Sequence, residues 1–205
     1  MHQQHLIKGA RSLRKLLPAT VLSALFLTPL ASYAGGYIGV GFGQADSDFD
    51  TESVVFLSGP VTDTDESDTS FKVFGGNQVN ENIAFEFFYM DLGEASATAS
   101  GDTYKSEVTG LGVSLLAGGK VGQNFSLFGK VGLMLWDADV TVDVAGVGSG
   151  SASDDGTDLL FGVGAKYDFS DKAAVRLEYE LIDIDNFDAG TGDFKVLTLG
   201  FLFGF

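Results

Sequence analysis

Five charged side chains carry most of the chemistry this sequence offers: Glu86, Lys130, Lys166, Arg176 and Glu178. Each lies in a stretch where apolar residues alternate with small or polar ones, and each falls on the polar face. Two carboxylates in one site can divide into a general acid and a general base. Glu86 and Glu178 are the candidates for such a pair. Their company is Arg176 and the lysines, so ion pairing explains them better, because buried charges need partners. A cluster of the five is expected, acting as an internal plug; the sharper alternative is a switchable gate.

Other catalytic groups are scarce. The two histidines are His2 and His5, at the extreme amino terminus. There is no cysteine, hence no disulfide and no thiol chemistry. Gly39, Gly41 and Gly43 continue an alternating stretch and open no helix, so they do not form a phosphate loop. Asp63, Asp65, Glu66 and Asp68 have the spacing of a calcium loop but lack its glycine and closing glutamate. They read as an ordinary solvated run. No catalytic, cofactor or metal site is expected.

Strands must position the five charges. Alternating stretches lie at about 37–44, 71–79, 83–92, 108–117, 125–136, 159–169, 173–182 and 194–205. In the third, Ile83, Phe85, Phe87 and Tyr89 oppose Ala84, Glu86, Phe88 and Met90. In the seventh, Val175, Leu177, Tyr179 and Leu181 oppose Arg176, Glu178 and Glu180. The apolar faces are nearly free of charge, and together they are too large to hide inside one small closed sheet. A soluble sheet keeps its polar face outside; here the apolar face must meet something apolar. A charge at mid-bilayer on such a face costs roughly 2–4 kcal/mol.

The connections alternate in length. Those at 79–82, 118–124 and 170–172 are short; those at 45–70, 93–103, 137–157 and 183–193 are long and hold most of the acids. Short turns on one rim and long loops on the other mark a membrane barrel. Eight strands enclose an interior filled by side chains rather than a wide pore. The sequence therefore predicts an all-β fold, an eight-stranded antiparallel transmembrane β-barrel of the up-and-down kind.

A cleaved signal peptide is expected ahead of it. Lys8, Arg11, Arg14 and Lys15 precede an apolar run from Leu16 to Ala31, and Ser32 and Ala34 fit a cleavage site. That predicts Sec export, removal of residues 1–34 and a barrel domain over 35–205. The cut removes four bases and no acid, so the barrel is more negative than the full chain's −16. Such a charge excludes nucleic acid as a partner.

The last eight residues are Thr198, Leu199, Gly200, Phe201, Leu202, Phe203, Gly204 and Phe205. Polar Thr198, Gly200, and aromatic Phe203 and Phe205 resemble the carboxy-terminal signal of Gram-negative outer-membrane proteins. That resemblance implies recognition by the barrel assembly machinery. Val73 to Asn80 with Phe85, Glu86, Tyr89, Leu92 and Gly93 is similar to the second and third strands of the OmpA-type barrel. Ala174 to Tyr179 is similar to its seventh.

With the terminal signal, the resemblance covers essentially all of 35–205. It implies a location in the Gram-negative outer membrane, contact with its lipid and lipopolysaccharide, and a monomer. It also implies that Glu86 and Arg176 pair inside the lumen as a plug. The family's lumen glutamate on the sixth strand is Lys166 here, and a lumen lysine on the fourth is Leu116, so a rearranged network is expected. No peptidoglycan-binding domain follows Phe205, so a cell-wall tether is not expected.

Barrel enzymes of that membrane rely on histidine, and 35–205 has none. The leading reading is a structural or surface-interaction role, with acidic loops as contact surface for an unspecified partner. The rival is a narrow porin-like ion or solute channel gated by lumen charges. A lipid-modifying enzyme comes third.

Overall fold

Period-two alternation becomes one closed antiparallel sheet in the computed structural model, which describes residues 35–49, 63–65, 67–99, 102–184 and 192–205. The signal peptide expected over 1–34 lies outside the described residues. The strands are β1 (Gly36–Phe49), β2 (Asp63–Asp65), β3 (Ser67–Gln78), β4 (Ile83–Ala99), β5 (Asp102–Lys120), β6 (Phe125–Val144), β7 (Gly148–Asp168), β8 (Ala173–Ile184) and β9 (Gly192–Gly204). β2 and β3 both pair with β4 and make up one stave. Eight staves then run up and down in chain order, and β1 closes the barrel on β9.

Side chains sort by the pleat. On β6, Leu127, Val131, Leu133 and Leu135 are exposed, while Lys130, Met134 and Trp136 are buried. The outward run from Phe125 to Leu135 climbs about 34 Å along the strand at about 3.4 Å per residue. At a tilt of about 40° that is close to the roughly 25 Å apolar band of an outer-membrane barrel. Aromatic pairs stud the band: Phe42 with Phe71, Phe85 with Phe87, and Tyr167 with Phe169.

At one rim the turns are tight. Val79, Val121 and Phe169 donate backbone hydrogen bonds to Ile83, Phe125 and Ala173 at 2.8–2.9 Å. The other rim departs from expectation. The stretches 93–103 and 137–157, expected as loops, are mostly strand. β4 and β5 pair out to Ala99 and Asp102, and β6 and β7 out to Val144 and Gly148. Their serines, glycines and acids have low strand propensity, but a ladder already formed within the barrel extends by adding pairs to its end. One slip interrupts it, between Asp91 and Glu94, where Gly93 takes φ +80. Asp91 and Asp68 carboxylates accept the amides of Gly93 and Glu94 there, at 2.9 and 2.8 Å.

The lumen glycines have a packing role. Directly across the ladder from inward aromatic rings stand glycines: Tyr37 faces Gly76, Phe74 faces Gly39, Phe88 faces Gly112, Phe128 faces Gly164 and Trp136 faces Gly156. Each ring lies over its glycine, so a Cβ at any of these positions would collide with it. Gly129 on the lipid face differs, because a Cβ there would meet nothing nearer than 3.9 Å. Gly112→Val is therefore expected to lower stability by about 1–3 kcal/mol, the usual range for overpacking. Gly129→Val is expected to change it little. Urea unfolding in lipid vesicles, read from the fluorescence of the single tryptophan, Trp136, measures both; equal shifts would contradict the packing account.

Candidate functional site

Four staves turn charge into the same slice of the lumen. β3 brings Lys72, β4 brings Glu86, β6 brings Lys130, and β8 brings Arg176, Glu178 and Glu180, all buried. Glu86 Oε1 lies 2.9 Å from Lys130 Nζ, and Glu86 Oε2 lies 2.7 Å from Arg176 Nη1. The Tyr37 hydroxyl donates to Glu86 Oε2 at 3.1 Å. Arg176 Nη2 sits 2.9 Å from Glu178 Oε2. Lys130 also reaches Glu178 at 3.2 Å and Glu180 at 3.0 Å. Lys72 pairs with Glu180 at 2.6 Å and with Glu178 at 3.3 Å.

Three acids and three bases thus neutralise one another. The inward rings add a second kind of partner. The Arg176 guanidinium lies 4.0 Å from the Phe74 ring centre. The Lys72 and Lys130 ammonium groups each lie 5.3 Å from that of Phe88. Cations over ring faces are attracted by the ring quadrupole. The arrangement holds charge in place. Both lumen carboxylates first considered as an acid–base pair, Glu86 and Glu178, are engaged by cations on more than one side.

The membership differs from the sequence reading. Glu86, Lys130, Arg176 and Glu178 come together. Lys166 does not join them: its ammonium pairs with Asp168 at 2.9 Å and is partly exposed. It stands across the ladder from Arg176, and like charge keeps it away. Lys72 and Glu180 take part instead. The period-two signal already carried both, since Lys72 shares a face with Phe74 and Glu180 follows Glu178 by two residues. Leu116 is inward and buried.

The lumen is layered along the barrel axis. At the tight-turn end, a cavity of about 650 Å³ is lined by Tyr37, Leu116, Phe128, Lys166, Leu202 and, at its inner end, Arg176. The ion-pair layer follows. Beyond it comes an apolar layer to which almost every stave contributes: Ala45, Met90, Val108, Met134, Leu160, Ile182 and Val196. Met90, Met134, Leu160 and Val196 are 0 % exposed. Trp136 roofs this layer and donates from Nε1 to Asp158 Oδ2 at 2.5 Å.

Outside the band the ribbons are acidic. No lysine or arginine occurs between Lys130 and Lys166. On the outer β5 segment, Lys105 pairs with Glu94 at 2.7 Å, and that hydrogen bond raises the lysine above its ordinary pKa. Of the acid run noted earlier, Glu66 lies outside the described residues, and Asp68 is spent on the Thr69 and Glu94 amides. In β9, Thr198 and Gly200 face the lumen while Phe203 and Phe205 face outward.

Two kinds of comparison bear on these features. The chain is 30% identical over 150 residues to outer membrane protein A of Salmonella typhi, covering 72% of this chain and 40% of that one. It is 32% identical over 119 residues to outer membrane protein A of Shigella flexneri, covering 57% and 34%. The chain thus spans well under half the length of these curated relatives. Among solved structures it is similar in fold to Neisserial surface protein A, with TM-score 0.61, 15% identity and coverage of 85% of this chain and 100% of that one. The Ail attachment invasion locus protein of Yersinia pestis gives TM-score 0.57 and 14% identity, over 85% of this chain and 100% of that one. Closed sheet, apolar band and relatives together make this an outer-membrane β-barrel of Gram-negative type. The family model for the OmpA-like transmembrane domain matches residues 32–205, which include every described strand, and the chain belongs to that family.

Proposed function

We propose that the barrel is a sealed mount in the outer membrane, with its acidic outer ribbons as the working surface. The observation that carries this reading is the apolar layer above the ion pairs. A lumen blocked only by salt bridges can open when a pair breaks. Here Met90, Met134, Leu160 and Val196 close the next level with no polar group for water to follow. Hydrated ions crossing that layer would leave their water unreplaced. The narrow-channel rival is disfavoured for this reason, and Lys72 and Glu180 further tie down the charges.

The supporting calls follow from the same reading. Export by the Sec route, cleavage after Ala34, assembly through Thr198, Gly200, Phe203 and Phe205, contact with lipopolysaccharide and a monomeric state are proposed for this chain. Catalysis is not, because residues 35–205 contain no histidine or cysteine. The partner at the ribbons is a surface ligand outside the cell.

Planar-bilayer recording tests the seal. Wild type, Glu86→Gln and Arg176→Met are all expected to be silent, whereas Met134→Ser with Leu160→Ser is expected to give discrete current steps. Steps in either single charge variant would return the gate to the ion pairs.

Stability gives a separate check on the cluster. Removing one member leaves an unpaired buried charge, which typically costs about 3–5 kcal/mol. Arg176→Met is expected to show a loss of that size in urea unfolding, and the double variant with Glu86→Gln to recover much of it. A double variant no better than the single would mean the two charges are not coupled.

For the surface role, replacing 141–151 with a short turn should leave the barrel folded and reduce whole-cell adhesion. Unchanged adhesion would remove the ribbon from the contact surface.

A further inference from the structure

The β6–β7 ribbon leaves one of its edges open. β7 pairs with β6 without a break from Gly148 to Tyr167. Its pairing with β8 runs only from Leu160 to Asp168. Among the described residues, β7 outward of Leu160 therefore has a neighbour strand on one side alone. Residues 148–153 are exposed without exception. The open part begins where the apolar band ends, since Leu159 is its last outward apolar residue on β7.

The direction of each amide on this edge follows from the ladder. Asp168 donates its backbone N–H to Asn124, on the β6 side, and Phe169 donates to Ala173, on the β8 side. Amides alternate along a strand, and no bulge interrupts β7. Even-numbered residues therefore bond to β6. The N–H and C=O groups of Ser149, Ser151, Ser153, Asp155 and Thr157 point to the open side.

Open edges are usually blunted by proline, lysine, a bulge or short length. Residues 149–158 contain neither proline nor lysine, and at about 3.4 Å per residue they offer roughly 34 Å of edge. What they do carry is negative charge. Asp154, Asp155 and Asp158 lie on the edge strand, and Asp137, Asp139 and Asp143 lie on β6 beside it. Pairing with a second copy would bring acidic strand against acidic strand, and like charges across a ladder are destabilising. A basic strand meets the opposite situation, with complementary charge to steer and hold it.

We propose that the open edge of β7, residues 149–158, is a docking strand for an extended, lysine- or arginine-bearing segment of another protein. The segment adds to the sheet as a further strand. Main-chain bonds to the five open residues supply the attachment, and the surrounding carboxylates select a basic sequence. The proposal rests on the surface-contact reading above and names the contact.

The test uses the full chain in vesicles of zwitterionic lipid. The probe is a ten-residue peptide alternating valine with lysine, and the control alternates valine with glutamate. Hydrogen exchange should show the even-numbered amides of 149–158 already slow. The odd-numbered amides should slow at least tenfold with the lysine peptide and remain fast with the glutamate peptide. Ser151→Pro with Ser153→Pro removes two open donors and no β6 bond, so it should weaken lysine-peptide binding at least tenfold. Ser151→Ala with Ser153→Ala should bind as wild type.

Equal binding to the proline variant would mean simple charge attraction and overturn strand addition. No protection of the odd amides in wild type would overturn it without reference to any variant. Protection that grows with protein concentration in the absence of peptide would assign the edge to a second copy instead. A conducting barrel that binds the peptide would sink the sealed-mount reading and leave the edge standing; a silent barrel that binds none would do the reverse.

Discussion

Lipid offers no hydrogen bonds to a peptide group, and this constraint governs the structure. Every backbone N–H and C=O inside the bilayer must find a partner within the protein, so a sheet that enters must close on itself. The β1–β9 ladder supplies that closure, from Tyr37 with Gly204 to Phe49 with Gly192. Closure then dictates the rest. One face of every stave meets lipid and the other meets a narrow interior. That interior must be filled, because few staves enclose little space. Rings laid over cross-strand glycines fill the wall tightly, and the inward charges must satisfy one another because no solvent shell is available at that level.

The two filled layers contribute differently. Ion pairs are directional and costly to leave incomplete, so they reward one register and one pairing of staves. A shift of a strand by one residue would turn Lys72, Glu86, Lys130 or Arg176 toward lipid. The apolar layer has little of that selectivity. Its side chains pack well with several neighbours, and its main effect is to exclude water. Register and seal are thus assigned to adjacent levels of the same lumen.

Much of this was legible in the sequence. Alternation of period two marks every stave that crosses the bilayer, because burial and lipid exposure act on opposite faces of each one. It also placed Glu86, Lys130, Arg176 and Glu178 inward. Membership of the cluster was less legible. Which inward charges meet depends on the stagger between staves, and that is a property of the closed sheet rather than of any one strand. Lys166 therefore looked equivalent to Lys72 although it stands at a different height. The outer ribbons were missed for another reason. Gly148 to Asp158 has neither an apolar face nor strand-forming residues, and only its attachment to β6 makes it a strand. The glycine–ring pairs were also hidden, since they are defined across the ladder between distant positions such as Gly112 and Phe88.

The cavity beside Arg176 opens toward the tight-turn end, and the Met134 layer closes the other. The lumen is therefore a blind well with its mouth facing the compartment under the membrane. Salt or acidity that changes in the outside medium stops at the apolar layer. The buried charges take their ionic surroundings from the cell's own periplasm, while the acidic ribbons take theirs from the world beyond it. One small barrel thus presents two electrostatic environments that are insulated from each other across a few side chains.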